Sequence, residues 1–79
     1  MKHSIEVYAG QRVRQRRWEV GMTLQQLGDR VGITAKQIMK IEAGTYEINA
    51  SLVRDIAAAL EVSALIFFEG VELASGDAA

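Results

Sequence analysis

Met22-Thr23-Leu24-Gln25-Gln26-Leu27 and Ile33-Thr34-Ala35-Lys36-Gln37-Ile38 write one pattern twice, a short helix apart. In each, the threonine hydroxyl can accept the free backbone N–H three residues on. The glutamine at that third position can reach back to the threonine N–H, and the flanking apolar residues can close over the turn. The pattern predicts helices starting at about Thr23 and Thr34. Between them Leu24 to Val31 supplies about two turns. Gly32 follows, the residue type that most easily takes the left-handed conformation closing a helix. The stretch reads as helix, tight turn, helix.

Outward from this centre the chain keeps the same period. It has no proline, shows no strand-like alternation, and spaces its apolar residues by three and four, so the fold class is all-α. A first helix is predicted over Ile5 to Val20, opened by Ser4, closed by Gly21, with Ile5, Val13 and Val20 on its apolar face. The third helix should stop at Ala43, with Gly44 as its terminating glycine. A loop from Thr45 to Ala50 leads to a fourth helix over Ser51 to Leu60, whose Leu52, Ile56, Ala59 and Leu60 fall at core spacing. Ser63 can cap a short fifth helix from Ala64 to about Glu69. The small, polar residues Ser75 to Ala79 are expected to fray. The expectation is one compact five-helix domain over residues 1–79, with its core at about 5–70.

Composition removes several function classes. Seventy-nine residues allow one small domain, and the absence of cysteine leaves no disulfide or thiol chemistry. No apolar run approaches the roughly 20 residues of a membrane span. Met1-Lys2-His3-Ser4 lacks the apolar stretch of a signal peptide. A soluble, cytoplasmic protein without a membrane partner is expected. His3 is the only histidine, and no metal-ligand cluster or glycine-rich phosphate loop occurs. The expectation is therefore no enzyme, no catalytic residue, no metal and no cofactor. Acidic residues such as Asp55 and Glu61 read as helix surface.

The formal charge of −1 conceals a polarity. Residues 1–40 carry Lys2, Arg12, Arg14, Arg16, Arg17, Arg30, Lys36 and Lys40 against Glu6, Glu19 and Asp29, a net +5. Residues 41–79 carry Arg54 against Glu42, Glu47, Asp55, Glu61, Glu69, Glu72 and Asp77, a net −6. The helix-turn-helix lies in the positive half, as suits a protein offering one basic surface to phosphate, although an ordinary mixed surface would give the same count. At 100° per residue Ile38 and Ile41 share one face of the third helix. Lys36, Met39 and Lys40 collect opposite them, with Ala35 at the edge. Lysines can bond guanine edges or phosphates, and Ala35 and Met39 can meet a thymine methyl. The plain alternative is a solvated lysine pair with Met39 merely exposed.

With these residues in place, the chain resembles the XRE family of bacterial transcriptional regulators, the Cro and phage-repressor type of helix-turn-helix. The resemblance covers roughly residues 7–69. It is carried by Gly10-Gln11-Arg12-Val13-Arg14-Gln15-Arg16-Arg17, Gly21 to Leu27, Val31-Gly32-Ile33-Thr34, Ile38 with Ile41-Glu42-Ala43-Gly44, and Ile56 to Ser63. It implies a lambda-repressor-like DNA-binding domain with a central helix-turn-helix, most simply a cytoplasmic repressor that puts its third helix into the major groove of double-stranded DNA. By position it implies DNA contacts from Thr23, Thr34, Ala35, Lys36 and Lys40, beside which Gln37, Met39 and Tyr46 are further DNA-binding candidates of this chain. It also implies a partly buried structural ion pair between Arg17 and Glu42. The chain departs from the family at Leu24, where a phosphate-bonding glutamine is usual, and in the loop Thr45-Tyr46-Glu47-Ile48-Asn49, where a carboxylate replaces basic or amide side chains. Weak, salt-sensitive binding per monomer is the expectation, compensated by two-site binding.

Leu65, Ile66, Phe67, Phe68, Val71 and Leu73 form more apolar surface than a short terminal helix needs. They are candidates for a homodimer interface that would set two recognition helices on a roughly palindromic operator. Closure of the monomer's own core accounts for them equally well. Trp18 reads as a packing residue in preference to a stacking platform. Tyr46 can either bond a phosphate or cover its turn. A second function is compatible with the same fold: an antitoxin or interaction module that binds a protein partner, such as a toxin or another regulator, through the acidic half and the apolar end.

Overall fold

The computed structural model describes residues 5–68. Four α-helices follow one another, α1 (Ile5–Glu19), α2 (Leu24–Val31), α3 (Ala35–Ala43) and α4 (Ala50–Ala59), and a 3-10 turn spans Ala64–Phe68. No strand occurs among the described residues, and no helix among them is long and apolar enough to cross a membrane.

The repeated pattern forms two reciprocal caps. Thr23 Oγ1 accepts the Gln26 N–H at 3.0 Å, and Gln26 Oε1 accepts the Thr23 N–H at 2.8 Å. Thr34 and Gln37 repeat the exchange at 3.0 and 2.9 Å. Each threonine satisfies a donor that a helix start leaves orphaned, a contribution of about 1 kcal/mol. Gly32 closes α2 at φ 92° and Gly44 closes α3 at φ 81°, a region where a side chain costs about 1–2 kcal/mol.

The other boundaries differ from the sequence expectations. Ser4 lies outside the described residues, and α1 stops at Glu19, leaving Val20 outside the helix and 40% exposed. The chain turns there, the Gly21 and Met22 N–H groups bonding back to the Trp18 and Arg17 carbonyls, so Val20 never reaches the core. Helix α4 begins at Ala50 because Asn49 caps it: Asn49 Oδ1 accepts the Leu52 N–H at 2.8 Å, which places Ser51 inside the first turn. The expected fifth α-helix is a 3-10 turn. Its Ile66 N–H bonds to the Ser63 carbonyl three residues back, and the Ser63 hydroxyl accepts the Leu65 N–H. The predicted end at Glu69, the side chains of Val71 and Leu73, and the segment Ser75 to Ala79 lie outside the described residues.

Helix α3 packs on both α1 and α2, α4 packs on α2, and the 3-10 turn closes against α1 and α4. Leu27, Ile38, Ile56, Leu60 and Phe67 are fully buried, and Val13, Ile41 and Val53 complete the apolar centre. Burial of one such large side chain stabilises the fold by roughly 1.5–3 kcal/mol. Gly10 permits a close approach of α1 to the end of α3, since a Cβ there would collide with the carbonyl oxygens of Ile41 and Glu42. That approach sets the spacing in which Arg17 meets Glu42.

Candidate nucleic-acid interface

Helix α3 divides cleanly. Ile38 is 0% exposed, Ile41 and Glu42 are buried, and their burial against α1 and α2 turns the opposite face to solvent. Lys36, Met39, Lys40 and Ala43 are exposed there, Met39 to 50%, while Ala35 and Gln37 are half-buried. Among the described residues neither Lys36 nor Lys40 is held in an ion pair. Both lysines therefore present exposed cations outside any ion pair beside an apolar side chain, a combination that can meet phosphates, guanine edges and thymine methyl groups.

The capping residues are partly committed. Gln37 Oε1 is occupied by the Thr34 N–H, and Gln37 Nε2 donates to the Tyr46 hydroxyl at 3.4 Å, tying the loop after α3 to the helix start. Tyr46 is half-buried, and Thr45 Oγ1 donates to the Lys40 carbonyl at 3.3 Å, so this loop is fastened to α3 at two points. Glu47 stands exposed in it. Thr23 and Thr34 are exposed at the starts of α2 and α3, where unpaired N–H groups favour an anion.

Beneath α3, Arg17 meets Glu42 through two parallel hydrogen bonds, Nε to Oε2 at 2.6 Å and Nη2 to Oε1 at 3.0 Å, while Nη1 donates to the Met22 carbonyl at 3.0 Å. Both side chains are about nine-tenths buried. The hydrogen bond with Glu42 raises the Arg17 pKa above its ordinary value; burial opposes this and the attraction of the carboxylate adds to it. One pair thus locks the end of α1, the turn before α2 and the last turn of α3 together.

The placement of Trp18 differs from the packing role read in the sequence. Trp18 is 60% exposed, on the side of α1 away from Val13, and the Arg14 guanidinium lies over its ring at 4.8 Å from the ring centre. The two residues are four apart, the spacing at which side chains on a helix meet, and that spacing is the signal by which the sequence could have revealed the pair. With Leu24 and Met39 they line an open cleft of about 250 Å³ between α1, the first turn of α2 and the exposed face of α3. At the other end of the molecule Phe67 is 1% exposed. It belongs to the core, because the 3-10 turn folds it against α1 and α4, and so is not free for an interface. Leu65 is 75% exposed, and Ile66 and Phe68 are half-buried.

The family model HTH_3, helix-turn-helix, matches residues 13–67. The chain belongs to this helix-turn-helix family. An uncharacterized HTH-type transcriptional regulator of Sinorhizobium medicae (strain WSM419) is 42% identical over 65 residues, covering 82% of this chain and 47% of that protein. The HTH_3 chain thus spans about half the length of such curated relatives. The clp gene regulator ClgR from Corynebacterium glutamicum shares the fold at a TM-score of 0.81 and 20% identity, over 86% of this chain and 72% of that one. The P22 c2 repressor protein, crystallised in complex with synthetic operator 9T, superposes at a TM-score of 0.72 with 27% identity, over 78% of this chain and 94% of its own. The XRE-type resemblance is thereby established, and the fold is that of DNA-binding transcriptional regulators. Its helical content is four α-helices and a 3-10 turn among the described residues, not five α-helices.

Proposed function

We propose that this chain is a sequence-specific double-stranded-DNA-binding regulator that represses transcription by placing α3 in the major groove. The observation that carries the reading is the outward face of α3, where Lys36 and Lys40 flank Met39 while the isoleucines behind them are buried. Lys36, Lys40 and Met39 reach base edges, with Ala35 at the rim. Thr23 and Thr34 position phosphates with the free ends of their helices, and Tyr46 and Gln37, joined to each other, approach the backbone from the loop side.

Two copies of the chain bind one roughly palindromic operator, with their recognition helices about 34 Å apart. Leu65, with 75% of its surface in solvent, and the half-buried Ile66 and Phe68 support a dimer contact at this end. Leu65→Ser is expected to leave the monomer fold intact and to lower self-association in sedimentation. Loss of folding instead would show that Leu65 serves the monomer.

The direct test is fluorescence anisotropy with labelled duplex DNA across a salt series. Each neutralised phosphate contributes about 0.9 to the slope of log K against log salt. Lys36→Ala/Lys40→Ala is expected to abolish preference among sequences, and Glu47→Lys to tighten binding to all duplexes and steepen the slope. A salt-independent signal, or no association at low salt, would overturn the assignment.

A further inference from the structure

Trp18 is the only tryptophan of the chain and 60% of its surface is open to solvent. Leaving so large an indole exposed forfeits apolar burial. Arg14, over the ring at 4.8 Å, has no carboxylate partner among the described residues, and neither does the indole N–H have an acceptor there. By contrast Arg16 bonds the Leu60 carbonyl and Glu19, and Arg17 is fully engaged by Glu42 and Met22. Arg14 and Trp18 thus place a guanidinium without a carboxylate partner and an indole N–H without an acceptor on one wall of a cleft. The opposite wall is Met39, on the exposed face of α3, and the floor is the buried Arg17–Glu42 pair.

The position of the cleft decides its occupant. A helix seated in a major groove about 12 Å wide has a sugar–phosphate backbone running along each of its sides. In a helix-turn-helix the first helix of the motif crosses that backbone. Leu24, in the first turn of α2, marks the crossing point and lines this same cleft. A strand passing Leu24 beside α3 therefore runs along Arg14 and Trp18.

We infer that Arg14 and Trp18 form a backbone clamp on α1, Arg14 neutralising a phosphate of the duplex and the Trp18 indole packing on the adjacent sugar while its N–H donates to the phosphate. This rests on the reading of α3 as the recognition helix and extends the DNA surface to a third helix. The clamp supplies a phosphate contact beside Leu24, whose apolar side chain can make none. It carries no sequence information of its own, since phosphate and sugar are the same at every step.

The single indole makes the test possible on the wild-type chain. Acrylamide quenching of Trp18 fluorescence is measured with and without a mixed-sequence duplex at low salt, with anisotropy of the labelled duplex recording binding in the same samples. Strong protection of Trp18 upon binding is expected. Arg14→Gln should lower the salt slope by about 0.9 and weaken binding by a similar factor on every duplex. Trp18→Phe, which keeps a ring and loses the donor, should weaken binding less than Trp18→Ala. Binding that depends on Lys36 and Lys40 but leaves Trp18 as open to acrylamide as before overturns the clamp and leaves the regulator reading standing. Protection that arises with protein concentration alone, without DNA, overturns it in favour of a second copy of the chain. Absence of any duplex binding overturns both readings.

Discussion

Residues 23–44 and residues 49–68 each hold two short helical elements, yet they are secured in different ways. In the first stretch both helices open on a reciprocal threonine–glutamine exchange and close on a left-handed glycine. In the second, Asn49 caps α4 by a single bond, and α4 ends at Ala59 with Leu60 in place of a glycine as its cap. Glu61 follows at φ 60°, its N–H bonded to the Ala58 carbonyl, in a conformation that suits glycine. There the work is done by distant residues: Arg16 of α1 donates to the Leu60 carbonyl at 3.2 Å, and Phe67 is sunk between α1 and α4. The helix-turn-helix is specified locally, and the end that follows it is held by what it packs against.

Four substitutions test this contrast. The largest loss is expected where the locally specified unit is tied to α1. Glu42→Ala leaves the Arg17 guanidinium buried and unpaired, and should cost about 3–5 kcal/mol in urea denaturation. A loss below about 1 kcal/mol would mean that Arg17 escapes to solvent and that the pair is not what fastens α3. Phe67→Ala should cost a similar 3–5 kcal/mol, because one buried ring carries the 3-10 turn. If its effect is small, the C-terminal end has local support that the contrast denies.

Smaller effects probe the caps themselves. Gly32→Ala places a side chain at φ 92° with open space around it, so strain alone acts, at about 1–2 kcal/mol of stability. Glu61→Gly goes the other way and gives α4 the ending that α2 and α3 already have. It should be neutral to stabilising, by up to about 1 kcal/mol, the relief of strain being offset by glycine's larger unfolded-state entropy. Destabilisation by Glu61→Gly would show that the glutamate side chain itself secures the turn.

The same division explains what could be read from the residues. Thr23, Gln26, Gly32, Thr34, Gln37 and Gly44 speak for their own neighbourhood, and the boundaries of α2 and α3 followed from them directly. The inward turn of Ile38 and Ile41, and with it the exposure of Lys36, Met39 and Lys40, followed from helical period. Helix α4 started one residue before its predicted place because Asn49 and Ser51 are both competent caps and only the packed chain selects Asn49. The last element became a 3-10 turn because Ala64 to Phe68 is too short for its own hydrogen bonds to decide its form. An aromatic on a helix usually packs, and from sequence Trp18 reads as such a residue. Its actual setting follows from helical phase: with Ala9, Val13 and Arg17 turned inward, Trp18 falls off the buried face of α1 and meets Arg14 one turn back.

On the site, sequence and structure meet at the exposed face of α3, and the proposed function rests there. Selection of binding sites from a random duplex library at moderate salt tests it most directly, run with the wild type and with Lys36→Ala/Lys40→Ala. These two positions are exposed, so folding should change by no more than about 0.5 kcal/mol. The wild type is expected to enrich a roughly palindromic sequence and the folded double variant to enrich none. A wild type that enriches nothing, or a variant that enriches the same sequence, would contradict it.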